Sequence, residues 1–126
     1  MAGIRGLTGW VGTALSARDP AGLARFYSDL FGWEIHSERE GWVTIVIPGT
    51  THYLAFAVDV HHRPPAWPSE PDQQTMQLHL DIGVADVDAA VEDALALGAT
   101  LAFDQPQDDV RVMLDPAGHP FCLYRD

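Results

Sequence analysis

The stretch Met76-Gln77-Leu78-His79-Leu80-Asp81-Ile82-Gly83-Val84 alternates apolar and polar residues without a miss. Met76, Leu78, Leu80, Ile82 and Val84 share one face, and Gln77, His79, Asp81 and Gly83 share the other. A period of two over this length predicts a strand with one face against a hydrophobic core. A surface strand would carry Thr, Lys, Glu or Ser on its second face. Here a histidine and a carboxylate stand two residues apart and point the same way.

The pattern around this strand occurs twice. After it, Asp86 offers a helix N-cap, Val87, Ala90, Val91, Ala94 and Leu95 form an apolar stripe, and Gly98 stops the helix. Strands at 100–104, 110–114 and 121–124 follow, the last two joined by the turn Asp115-Pro116-Ala117-Gly118. In the first half a strand at 10–16 leads to the N-cap Asp19 with Pro20 in the first turn. The stripe Leu23, Phe26, Tyr27, Leu30 and Phe31 ends at Gly32, and strands at 33–36, 42–47 and 53–58 follow. Asp19 and Asp86 stand about half the chain apart, which predicts an internal duplication of a strand–helix–three-strand unit. Two copies are too few for a solenoid, so they are expected to pair. Module one spans about 8–58 and module two 76–126. Residues 59–75 connect them, with Pro64, Pro65, Pro68 and Pro71 excluding a helix or a central strand.

Composition narrows the chemistry. The 126 residues suit one domain, and 47% hydrophobic with 20% charged residues is globular. A formal net charge of -11 speaks against nucleic acid and admits a cationic or neutral small ligand, although solubility alone explains it. All seven basic residues are Arg, so no lysine exists for Schiff-base chemistry. The single Cys122 cannot form an intrachain disulfide, which makes the cytoplasm the expected location. Gly6 to Ala17 lacks the leucine-rich run of a signal peptide, and no apolar run approaches a membrane span. Neither a Gly-x-Ser-x-Gly motif nor a phosphate-cradling glycine loop is present.

Five motifs in register then resemble one family. Phe26-Tyr27-Ser28-Asp29-Leu30-Phe31-Gly32-Trp33-Glu34 resembles the helix end of the vicinal oxygen chelate superfamily, which holds glyoxalase I, bleomycin-resistance proteins and extradiol dioxygenases. Pro65-Ala66-Trp67-Pro68, Gln77-Leu78-His79-Leu80-Asp81, Val84-Ala85-Asp86-Val87 and Asp115-Pro116-Ala117-Gly118-His119-Pro120-Phe121-Cys122-Leu123 resemble its glyoxalase-like branch. The resemblance implies an α+β fold of two paired βαβββ modules, a cup-shaped mixed sheet with the helices outside, within a single domain over 1–126. It also implies a homodimer.

In metal-bearing members the ligands sit on the cup-facing sides of the opening and closing strands. His79 matches the opening-strand position of module two, and Cys122 the closing-strand position where relatives carry Glu. The counterpart of His79, seven residues before the first N-cap, is Gly12, and Tyr53-Leu54-Ala55-Phe56 offers no carboxylate. No cofactor and no complete metal site are therefore expected; a divalent ion, if bound, would sit on His79 and Cys122. His79 and Asp81 share a face either as an acid–base or ligand-anchoring pair, or as part of a structural network with Asp81 on an arginine such as Arg111.

Trp10 shares parity with Gly12, Tyr124 with Cys122, and Gln77 with His79, while Trp42 lies on a strand and Trp67 on the connector. Gly12 and Ala14 leave room between aromatic walls, the composition of a small-molecule pocket. Trp10, Gly12, Trp42, Trp67, Gln77, Arg111, Cys122 and Tyr124 are thus the candidate ligand-binding residues. The remaining histidines are expected to be peripheral: His61 and His62 in the connector, His119 in a turn, His36 and His52 solvated. Two functions fit: a binding protein that sequesters a cationic or aromatic drug or metabolite, or an enzyme of lyase, isomerase or dioxygenase type that uses His79. Neither a nucleic acid nor a membrane is expected as partner.

Overall fold

The computed structural model describes residues 3–126. The chain divides into two compact units, Met1–Val60 and His61–Asp126, so most of the connector belongs with the second. Each unit is one helix on one four-stranded mixed sheet, and the strand order is the same in both.

In the first unit β1 (Val11–Ala17) runs parallel to β4 (His52–Val58). β3 (Trp42–Val46) and β2 (Ser37–Arg39) extend the sheet antiparallel, giving the order β1-β4-β3-β2. α1 (Pro20–Phe31) starts as the sequence predicts: Asp19 Oδ1 accepts from the Gly22 amide at 3.0 Å, and Pro20 fills the first turn, where its missing N–H costs nothing. Gly32 ends the helix at φ 72°, a conformation that a side chain would strain. Alternation along the strands puts Leu15, Ala17, Val43, Ile45, Leu54 and Phe56 on one face, all buried, with Leu23, Phe26 and Tyr27 of the helix buried as well. Tyr27 stacks on Phe56 with ring centroids 5.6 Å apart.

The strand expected at 33–36 is displaced. Trp33 stacks on Phe31 at 4.2 Å, its amide donates to Ser28 O, and its own carbonyl accepts from Ser28 Oγ. These contacts hold the chain against the helix end, and the ladder begins only at Ser37.

In the second unit β5 (Leu80–Val84) runs parallel to β8 (Pro120–Arg125), followed antiparallel by β7 (Val110–Leu114) and β6 (Thr100–Leu101). The predicted strand 76–84 is shortened to its second half. Pairing starts at Leu80 with Phe121. One step earlier stands Pro120, which has no N–H to give the ladder. α2 (Val87–Ala96) is capped by Asp86, which accepts from the Ala89 amide at 3.1 Å. Of the stripe predicted for α2, only Ala94 is fully buried, and Leu95 is exposed.

β6 is also shorter than the predicted 100–104, because a side chain takes over from the backbone. Gln105 Oε1 accepts from the Val112 amide at 2.8 Å, while its Nε2 donates to the carbonyls of Ala102 and Val112, each at 2.9 Å. The connector is pinned to the β7–β8 turn. The ring of His62 meets Ala117 O at 2.8 Å and lies 4.9 Å from His119, and Pro64 packs where a side chain on Gly118 would go. His62 and His119, expected as separate loop residues, are thus neighbours.

Candidate functional site

In the first unit the sheet face away from α1 carries Gly12, Ala14 and Ser16 of β1, Tyr53, Ala55 and Ala57 of β4, and Trp42, Thr44 and Val46 of β3. Three small residues on β1 and two on β4 make a shallow floor, with Tyr53 the one large residue among them. An open hollow of about 300 Å³ lies there, lined by Trp10, His36, Trp42, Thr44, Val46 and Tyr53. Its volume is at the lower end for a small-molecule site, and its wall is mostly aromatic and aliphatic. Trp10 and Trp42 are 52% and 39% exposed, so their rings are not spent on the core. Thr44 Oγ1 is already engaged, 2.6 Å from Ser37 Oγ.

Gly12 matters here for a reason the sequence did not show. Its cross-strand partner is Tyr53, and a β-carbon on Gly12 would lie 2.2 Å from the Tyr53 ring. The ring therefore leans over β1 and fills the position where a side chain at 12 would stand. Tyr53 carries no carboxylate and so does not stand out as a ligand in the sequence. Its parity with Ala55 and Ala57, opposite a glycine, was the available signal.

The second unit carries a different face. Alternation puts Gly83 with Asp81, and pairing sets Asp81 against Cys122 and Gly83 against Tyr124, whose hydroxyl end lies against Gly83. His79 Nε2 stands 3.7 Å from Asp81 Oδ1, too long for a hydrogen bond and within reach of an ion pair when the imidazole is protonated. One ligand-type atom from each of His79, Asp81 and Cys122 lies within 4.8 Å of the others. Cys122 is only 9% exposed and packs with Ala102 and Val112, against which Trp67 also lies. Burial pushes the Cys122 thiol up from 9.0, and the negative charge of Asp81 and the hydrogen bond to it push the same way.

Trp67 packs against the Ala102, Val112 and Cys122 cluster, and its Nε1 donates to Asp104 O at 3.0 Å, so that N–H is already engaged. Gln77 is exposed and precedes β5. Arg111 alternates with Val112 and so lies on the sheet face opposite Cys122. It lines a groove with Asp86, Val87 and Asp88 at the start of α2, and with Asp108, Asp109 and Arg125. Its guanidinium donates to the carbonyls of Gln107 and Val110. The network expected between Asp81 and Arg111 is not formed, because adjacent residues of a strand face opposite ways.

Residues 12–124 match the model of the glyoxalase-like domain, and the chain belongs to that family. Its fold is that of the glyoxalase/bleomycin resistance/dioxygenase proteins. Among solved structures it is similar to TnmS3, an antibiotic-binding protein from Streptomyces sp. CB03234, at 17% identity and a TM-score of 0.61, covering 95% of this chain and 97% of that one. It is similar to FosX, a fosfomycin resistance protein from Listeria monocytogenes, at 16% identity and a TM-score of 0.67, covering 94% and 91%. Lactoylglutathione lyase from Agrobacterium tumefaciens matches at 22% identity and a TM-score of 0.61, covering 96% of each. No curated protein matches the chain by sequence.

The metal-ligand positions implied by the family resemblance do not fit a two-module site here. Gly12 lies beneath the Tyr53 ring, and Ala55, paired with Ala14, stands where Cys122 stands beside Asp81. The first unit supplies no ligand atom at these positions; the second supplies three.

Proposed function

We propose that the protein binds a small planar organic molecule, aromatic and cationic, in the hollow of its first unit, and so sequesters a drug or metabolite. One observation carries this reading: Trp10, Trp42 and Tyr53 line an open, mostly apolar space on a sheet face floored largely by small residues. The indole faces offer a planar ligand van der Waals contact, and their negative quadrupoles favour a positive charge over the ring. The formal net charge of -11 adds long-range attraction for a cation. His36 and the Tyr53 hydroxyl supply the polar tips that would orient it. The sharing of this fold by an antibiotic-binding protein and a fosfomycin resistance protein supports the reading. Neither a cofactor nor the family's two-module metal site is needed for it.

A homodimer is part of the proposal. It is supported by Phe103, 99% exposed beside the half-exposed Leu101, apolar surface of the kind that a second copy would cover. Sedimentation equilibrium of the protein and of Phe103→Ser tests this; a monomeric wild-type protein would exclude it.

The second reading is an enzyme of lyase, isomerase or dioxygenase type, with His79 as acid–base group or ligand. The observation in its favour is the 3.7 Å approach of His79 Nε2 to Asp81 Oδ1, which puts an imidazole and a carboxylate side by side on one face. Tryptophan fluorescence across a panel of planar cations and neutral aromatics separates the two. Saturable quenching that survives His79→Ala but is lost in Trp42→Leu supports sequestration. Turnover of a bound compound that disappears in His79→Ala supports the enzyme.

A further inference from the structure

We propose that the aromatic hollow is one part of a longer site, whose ligand is a planar cation bearing a flexible arm with a second basic group. The proposal rests on the sequestration reading and extends it to a second hollow in the same unit.

Between α1 and β2 the chain runs outside the ladder. Beside it lies an open hollow of about 520 Å³, with Trp33, Glu34, Ile35, His36, Val46 and Pro48 in its wall. His36 and Val46 also line the aromatic hollow, so one wall is common to both spaces. Val46 shares its sheet face with Trp42 and Thr44. A ligand seated against Trp42 therefore needs only to pass over His36 and Val46 to reach the second hollow.

This hollow is shaped by the fold itself. The Gly32 and Trp33 amides donate to Ser28 O at 2.9 and 3.2 Å, Trp33 stacks on Phe31, and the His36 amide donates to Thr44 O at 2.8 Å. The segment is tied at both ends, which spares a ligand the entropy of ordering it.

The lining names the arm. Ile35, Val46 and Pro48 offer apolar contact to methylenes, each worth about four-fold in affinity when fully buried. Among the described residues that line the two hollows, Glu34 carries the one carboxylate and none is an arginine. A basic group at the end of the arm complements that charge. Glu34 is exposed, so solvent screens the pair and limits it to about two- to five-fold.

The test compares two dyes with one ring system: an aminoacridine without an arm, and quinacrine, whose aminoacridine carries a flexible arm ending in a tertiary amine. Affinities for the full chain are measured by calorimetry. Quinacrine is expected to bind at least about ten-fold more tightly. That preference should shrink about two- to five-fold in Glu34→Gln and hold in Glu92→Gln, which removes the same charge from an exposed position on α2 of the second unit. Trp42→Leu should weaken both dyes, since both place their ring in the aromatic hollow. Equal affinity for the two dyes, a preference untouched by Glu34→Gln, or one that Glu92→Gln reduces as much would overturn the arm site and leave the aromatic hollow standing. Binding of neither dye would overturn both.

Discussion

The ring of Tyr53 lies over Gly12, its cross-strand partner, so closely that a β-carbon at position 12 would be 2.2 Å from it. An aromatic ring thus fills the place of a side chain at position 12, where the family resemblance implies a metal ligand. Gly12→Ala should swing the ring away and reshape the hollow. Alanine is itself favoured over glycine in a strand by about 0.5–1 kcal/mol, so thermal stability should change little. Ligand affinity should fall by about 1 kcal/mol, roughly five-fold, and Tyr53→Ala should cost at least as much. Calorimetric binding beside thermal melts of the two variants checks this.

The pairing of Asp81 with Cys122 makes a prediction about pH. The folded thiol titrates above its unfolded value near 9.0 because of burial and the Asp81 carboxylate. Sulfur is then more protonated in the folded state, and stability falls as pH rises through 9 toward the folded value. In chelator-treated protein, denaturant melts from pH 7 to 10 should show this loss, and Cys122→Ala should remove its pH-dependent part. Asp81→Asn should lower the thiol pKa and speed alkylation of Cys122 at pH 8.

Gln105 is expected to be structural. Its side chain satisfies the Val112 amide and shares two carbonyls where β6 has ended. Gln105→Leu removes the bonds of the Val112 amide and the Ala102 carbonyl, while the Val112 carbonyl keeps the Ala102 amide at 3.0 Å, a cost of about 1–3 kcal/mol. Thermal unfolding should show a clear drop in midpoint, with ligand affinity in the first unit unchanged.

Much of the fold was legible because its punctuation is local. Asp19 and Asp86 cap helices through their own side chains, Gly32 and Gly98 stop them with positive φ, and the alternation of 10–16 and 76–84 is a strand period. What escaped depends on register and on side-chain direction. The offset that leaves Met76 to His79 outside the ladder comes from Pro120 on another strand. Arg111 could be put on the correct face only once Val112 was known to pair with Cys122. No local pattern announces that a glutamine amide will stand in for a strand, or that a tyrosine will lean across a glycine. The convergence of His79, Asp81 and Cys122 was half legible: the first two by spacing, the third only through the β5–β8 pairing.

The central claim is that a ligand sits on the aromatic face of the first unit. The four tryptophans report on it separately, since Trp10 and Trp42 line the hollow, Trp33 is stacked on Phe31, and Trp67 is bonded to Asp104. The most direct measurement is the indole N–H spectrum of ¹⁵N-labelled protein, recorded while a bound planar cation is titrated in. The account predicts that the Trp10 and Trp42 signals shift together and saturate while the Trp67 signal stays in place. Movement of Trp67 alone, or saturable binding that leaves Trp10 and Trp42 unmoved, would contradict it.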